Sequence, residues 1–169
     1  MGQTLEQFAT ACKQALLDTP GAEGRKKVCA LVGEVLKDRD FVAKYITDDL
    51  PERQVLYEDP DLGFCILGHV HHGAKGSSPH DHGPSWAIYG QAAGETLMTD
   101  WALVSPPTET EPGQVKHVRD YSLRPGDAHF YDIGVLHSPS RRGPTKLLRI
   151  EGTNMARVKR KAFVAIETV

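Results

Sequence analysis

The sequence predicts a mainly β chain, a small antiparallel sandwich or barrel preceded by a helical segment. Apolar residues recur at spacings of three and four as far as residue 45, the period of an amphipathic helix. Beyond residue 50 the texture changes to short runs rich in β-branched and aromatic residues, separated by Gly, Pro and Asp. Five of the eight histidines fall between positions 69 and 82, inside that second region.

In the helical segment, Leu5, Phe8, Ala9, Cys12, Leu16 and Leu17 share one stripe, and "TPGAEG" (19–24) interrupts it. Val28, Leu31, Val32, Val35 and Leu36 repeat the pattern, and Phe41, Val42 and Tyr45 continue it after "KDRD". Two or three short helices ending near Asp49, Leu50 and Pro51 are expected. Eight strands follow: 53–59, 63–72, 85–93, 95–104, 114–123, 128–133, 145–152 and 159–167. The Pro- and Glu-rich stretch 104–114 reads as an exposed loop, and "RPGD" (124–127) as a tight turn. Strands of this length with this punctuation suit a closed or sandwiched antiparallel sheet.

The 169 residues carry a net charge of −2, which argues against a general nucleic-acid or anionic-membrane partner. No apolar run approaches the roughly 20 residues that span a bilayer. The N-terminus lacks a basic-then-apolar signal pattern, so a cytoplasmic protein is expected. The three cysteines, Cys12, Cys29 and Cys65, show no CxxC spacing and read as buried thiols.

The stretch "SSPHDHGPSW" (77–86) places His80 and His82 one residue apart. On a strand, such residues point to the same face and can reach one cation about 2 Å from each ring nitrogen. A third ligand has to come from a neighbouring strand. His137, in "DIGVLHSPS", closes an apolar strand after a Gly and is the candidate. His129, in "PGDAH", is the competing choice, but a turn directly precedes it. His69 and His71 form a second HxH with no matched downstream partner; with His72 they read as polar lining or strand-surface residues, and His117 as solvated. Tyr89 follows His82 by seven residues, which on an unbroken strand turns it to the opposite face.

"GSSPHDHGPSWAIYGQAAG" followed by "LRPGDAHFYDIGVLH" resembles the two halves of a cupin metal site, with Asp132 at the proline position of the second half. The acid that usually follows the HxH pair is missing, so the chain is similar to the three-histidine branch, the thiol dioxygenases of the cysteine dioxygenase type. The resemblance covers roughly residues 50 to 155. It implies a double-stranded β-helix over 51–169 with a helical segment, 1–50, packed against it. It implies a metal on His80, His82 and His137, Fe(II) first, with Ni, Zn or Mn as alternatives that imidazole also accepts. It implies O2 and a small substrate bearing a thiol or carboxylate, and, since cupins often pair through sheet edges, a homodimer.

The resemblance puts Arg53 where those enzymes hold the substrate carboxylate; the competing reading is a strand-edge ion pair with Glu52 or Asp59. Leu147, Arg149 and Glu151 replace the family's Ser-x-His-x-Tyr set, and Ala87 stands where some members carry a crosslinked cysteine. Arg149 and Glu151 alternate and share a face; pointing inward, they make a substrate clamp and an acid–base group. The substrate shell is thereby altered. A non-enzymatic binding or sensor module, and an isomerase or lyase using another divalent metal, are the alternative functions.

Overall fold

The computed structural model describes residues 2–167. Met1 and residues 168–169, the outermost positions of the two expected segments, lie outside the described residues. The helices are α1 (Leu5–Asp18), α2 (Ala22–Val35) and α3 (Arg39–Tyr45). Thr4 and Gln7 cap each other's backbone amides to start α1, and Asp38 accepts from the Asp40 and Phe41 amides to start α3. Between α1 and α2 the chain turns at Gly21, whose φ of 85° is left-handed.

Ten strands follow: β1 (Gln54–Glu58), β2 (Cys65–His71), β3 (Lys75–Gly76), β4 (Ala87–Ala93), β5 (Thr96–Ser105), β6 (Gly113–Leu123), β7 (Ala128–Tyr131), β8 (Leu136–Arg141), β9 (Thr145–Glu151) and β10 (Phe163–Ala165). They form two five-stranded sheets, ordered β1-β2-β9-β4-β7 and β10-β6-β5-β8-β3. From β6 onward every successive strand changes sheet, the winding of a double-stranded β-helix. All the pairings except β10 with β6 are antiparallel.

The register sorts side chains by face. Ile66, Ile88 and Ile150 lie abreast on β2, β4 and β9, and so do their alternates Leu67, Tyr89 and Arg149. The isoleucine face, with Val70 and Leu148, packs on Phe8, Cys12, Val28, Val32 and Phe41 of the helices. The largest apolar core therefore lies outside the barrel, between sheet and helices. The opposite face looks into the barrel and carries buried polar groups, among them His69, His71, Tyr89, Gln91 and Glu151. Burial on both faces explains why β2 reads as a near-continuous apolar run.

Two local expectations are corrected. Residues 77–86 do not form a strand. His80 makes an isolated bridge to His137, its amide and carbonyl exchanging hydrogen bonds of 3.0 and 2.9 Å, and His82 already stands at a turn closed by Ser85. His137 is the second residue of β8 instead of closing a strand. The turn Asp132–Val135, with Gly134 at φ 82°, ends the preceding run. β8 itself contains Pro139, which donates nothing to a ladder, so its sequence does not read as a strand.

Candidate metal centre and its cationic cleft

The β8 start and the bridged segment before the 82–85 turn bring three imidazoles together. His80, His82 and His137 each offer a ring nitrogen, all within 4.8 Å of one another. The Nε2 atoms of His82 and His137 are 3.2 Å apart. Two nitrogens about 2.1 Å from one ion, at tetrahedral to right angles, stand about 3.0–3.4 Å apart. His80 donates from Nδ1 to the Ser78 carbonyl at 2.9 Å, and His137 donates from Nδ1 to the Val135 carbonyl at 3.0 Å. A proton fixed on Nδ1 leaves a lone pair on Nε2, the arrangement a ligand histidine needs. The Tyr131 ring stacks on His137, centroids 4.0 Å apart, and holds its plane. Burial holds all three imidazoles below the ordinary histidine range, His80 at about 4, so they are uncharged at neutral pH. The donor set fits a divalent transition ion.

Tyr89 is the residue that alternation misplaced. The turn at 82–85 breaks the period, and β4 begins at Ala87 with Tyr89 facing inward. Its hydroxyl lies 3.1 Å from Nε2 of His82, 3.1 Å from Nε2 of His137 and 3.4 Å from Nε2 of His80. An Arg160 guanidinium nitrogen stands 3.4 Å from His82 Nδ1.

Arg149 and Glu151 project into the barrel from β9. The Arg149 guanidinium lies 4.0 Å over the Tyr89 ring and 3.6 Å from the Glu151 carboxylate. The Glu151 side chain is only 1% exposed, and its Oε2 has no partner. Arg53 sits in the bend before β1, exposed at the rim, and donates to Asn154 at 3.2 Å. The ion pair with Glu52 or Asp59 is not formed: Glu52 pairs with Lys75 at 2.8 Å and Asp59 with Lys13 at 3.5 Å.

His69 and His71 line the same interior, and His72 is exposed. His129 is stacked between Tyr121 and Tyr131, outside the triad. His117 bonds to Asp120 on an exposed strand. A cleft of about 220 Å3 runs from His80 and Tyr89 to the rim. Five cationic side chains, Arg53, Lys75, Arg141, Arg149 and Arg160, line it against the single carboxylate of Glu52. Of these, sequence reasoning missed Lys75, Arg141 and Arg160. The only signal for Arg141 is its place four residues after a ligand histidine, hence on the same strand face.

No protein-family model matches the sequence, and no curated protein matches it. Among solved structures, the chain is similar to a cupin superfamily protein from Desulfitobacterium hafniense: 14% identity, TM-score 0.46, covering 64% of this chain and 82% of that one. It is similar to KdgF from a Halomonas species, with 18% identity, TM-score 0.43 and coverage of 62% and 82%. A protein with a double-stranded β-helix domain from Klebsiella pneumoniae gives 14% identity, TM-score 0.45 and coverage of 71% and 93%. The fold stated above rests on this chain's own strand order. No helix among the described residues is long and apolar enough to cross a membrane.

Proposed function

We propose that the protein is a mononuclear, metal-dependent dioxygenase of small anionic substrates, holding Fe(II) on His80, His82 and His137. The observation that carries this reading is the convergence of three uncharged Nε2 atoms and one phenol hydroxyl at the inner end of a cationic cleft. The sequence resemblance to thiol dioxygenases supports the choice of reaction and of a substrate bearing a thiol and a carboxylate. Iron held by these three histidines would supply the redox chemistry with O2. The chain supplies the rest. The Arg149 guanidinium neutralises and orients a carboxylate. The Tyr89 hydroxyl holds or passes a proton at its Oη. Ala87, Met98, Leu123 and Tyr131 close the interior beside the histidines and keep water out. The three cysteines are free, as suits the reducing cytoplasm that we propose as its setting.

Metal analysis of protein purified without added metal, together with O2 uptake over a panel of thiol-bearing carboxylates, tests this. Iron and thiol-dependent O2 consumption are expected, and His82→Ala is expected to lose both. Full turnover in a metal-free His82→Ala variant overturns the proposal. The Tyr89 hydroxyl and the buried Glu151 carboxylate also favour a second reading, an isomerase or lyase using Zn, Ni or Mn. Its signature is turnover without O2 uptake.

A further inference from the structure

β8 carries His137, Pro139 and Arg141 on one face, so the strand that delivers a ligand histidine also delivers a guanidinium. Arg141 is 5% exposed, and its Nε and Nη2 have no hydrogen-bond partner. Among the described residues no carboxylate lies within 4 Å of it. Three more nitrogens of the same cleft are buried without partners: Arg149 Nε, His69 Nε2 and His71 Nδ1. Burial, and then the neighbouring charge of Arg149, pull the Arg141 guanidinium down to about 10. The Glu52 carboxylate lies at the rim, 59% exposed, held by Lys75 and 3.9 Å from His71 Nδ1.

Arg149 has the Glu151 carboxylate 3.6 Å away, but Arg141 is a buried guanidinium with no acid beside it and a second cation in the same cleft, which is costly because it loses its hydration and is repelled. An oxyanion reverses both penalties. The free Nε and Nη2 edge of Arg141 is the two-pronged donor that grips carboxylate or phosphoryl oxygens. His69 donates from Nδ1 to the Glu52 carbonyl at 2.7 Å, so its neutral Nε2 accepts an O–H from a ligand.

We propose that Arg141, with Arg149, His69 and His71, forms an oxyanion subsite, and that the substrate carries a phosphoryl or carboxylate group at the end remote from the metal. Arg141 stands four strand positions beyond His137, about 13 Å between α-carbons. With a cleft of about 220 Å3, below the ~300–1,000 Å3 of drug-sized pockets, this fits a short molecule with a group for the metal at one end and an oxyanion at the other. The proposal rests on the dioxygenase reading only in calling the occupant a substrate; the subsite itself needs no metal.

Thermal shift and calorimetric titration with inorganic phosphate, sulfate and succinate, against chloride at matched ionic strength, test it on the protein as purified and again after chelation. A saturable rise in Tm with phosphate and sulfate points to a phosphoryl group, and one with succinate to a carboxylate; either supports the subsite. Arg141→Gln is expected to weaken binding at least tenfold. Arg141→Lys, which keeps the charge and loses the fork, is expected to fall between. If the Gln variant does not fold, the Lys variant and the unaltered chain still decide. No response beyond that to chloride, or wild-type binding in the variants, overturns the subsite. A failed metal reading shows separately, as absent metal with the anion response intact.

Discussion

Tyr89 and Arg149 show how single side chains inside the barrel depend on one another. The tyrosine hydroxyl sits over the three imidazole nitrogens while its ring carries the Arg149 guanidinium. Tyr89→Phe keeps the ring and removes only the hydroxyl. Metal content is expected to stay unchanged while kcat falls by about 100-fold or more, with a much smaller change in KM. An unaltered kcat would reduce Tyr89 to packing. Behind it, Arg149 is the guanidinium that stands against a carboxylate buried to 1% exposure. Arg149→Met fills the volume but strands that charge, at an expected cost of about 3–5 kcal/mol. Adding Glu151→Gln removes the stranded charge and is expected to restore most of the loss. A strictly additive pair of substitutions, measured by chemical denaturation, would show that the two side chains do not act together.

At the scale of elements, the site depends on where strands begin. The helical stripes and the eight expected strands are legible because amphipathic periods and turn residues are local signals. The histidine triad is legible as a pattern for a different reason: the motif halves name the ligands without needing their backbone. What the sequence hides is the phase of alternation. A two-residue period carries no memory across a turn, so the 82–85 turn resets the face of Tyr89, and the 132–135 turn puts His137 near the start of β8, after Leu136. Arg141 was hidden with β8, whose Pro139 masks a strand. The helix layer is fixed more tightly. A Cβ on Gly90 of β4 would lie 2.6 Å from Val32 Cγ1 on α2 and 2.9 Å from the Leu148 carbonyl oxygen on β9. The backbone oxygen cannot step aside cheaply, so Gly90→Ala pushes α2 from the sheet. A loss of about 1–3 kcal/mol is expected, read as a fall of several degrees in Tm. Unchanged Tm would mean that α2 does not pack on β4 this closely.

Across the whole molecule the usual layering is reversed: the larger apolar core is outside the barrel, under the helices, and the inside is a chamber of uncharged imidazoles and buried guanidiniums, Arg149 facing Glu151 and Arg141 facing no carboxylate. This arrangement has a pH signature. Burial lowers the proton affinity of His69, His80, His82 and His137 in the folded chain, His80 to about 4, while an unfolded imidazole titrates near ~6.5. Between those values the unfolded state binds more protons than the folded one, so stability is complete above about pH 6.5 and falls as acid is added. The perturbed carboxylates, such as Glu52 and Glu58, are lowered from an ordinary value of 4.5, so protonating them weakens the fold only below that range. The interval from pH 6.5 to 5 therefore isolates the histidines. Chelated protein is expected to melt several degrees lower at pH 5 than at pH 7. Added metal ion, which competes with protons for the same nitrogens, is expected to raise Tm more at pH 7 than at pH 5. Identical melting curves at the two pH values in the chelated protein would mean that the four imidazoles are already solvated in the folded chain, and would remove the uncharged triad on which metal binding depends.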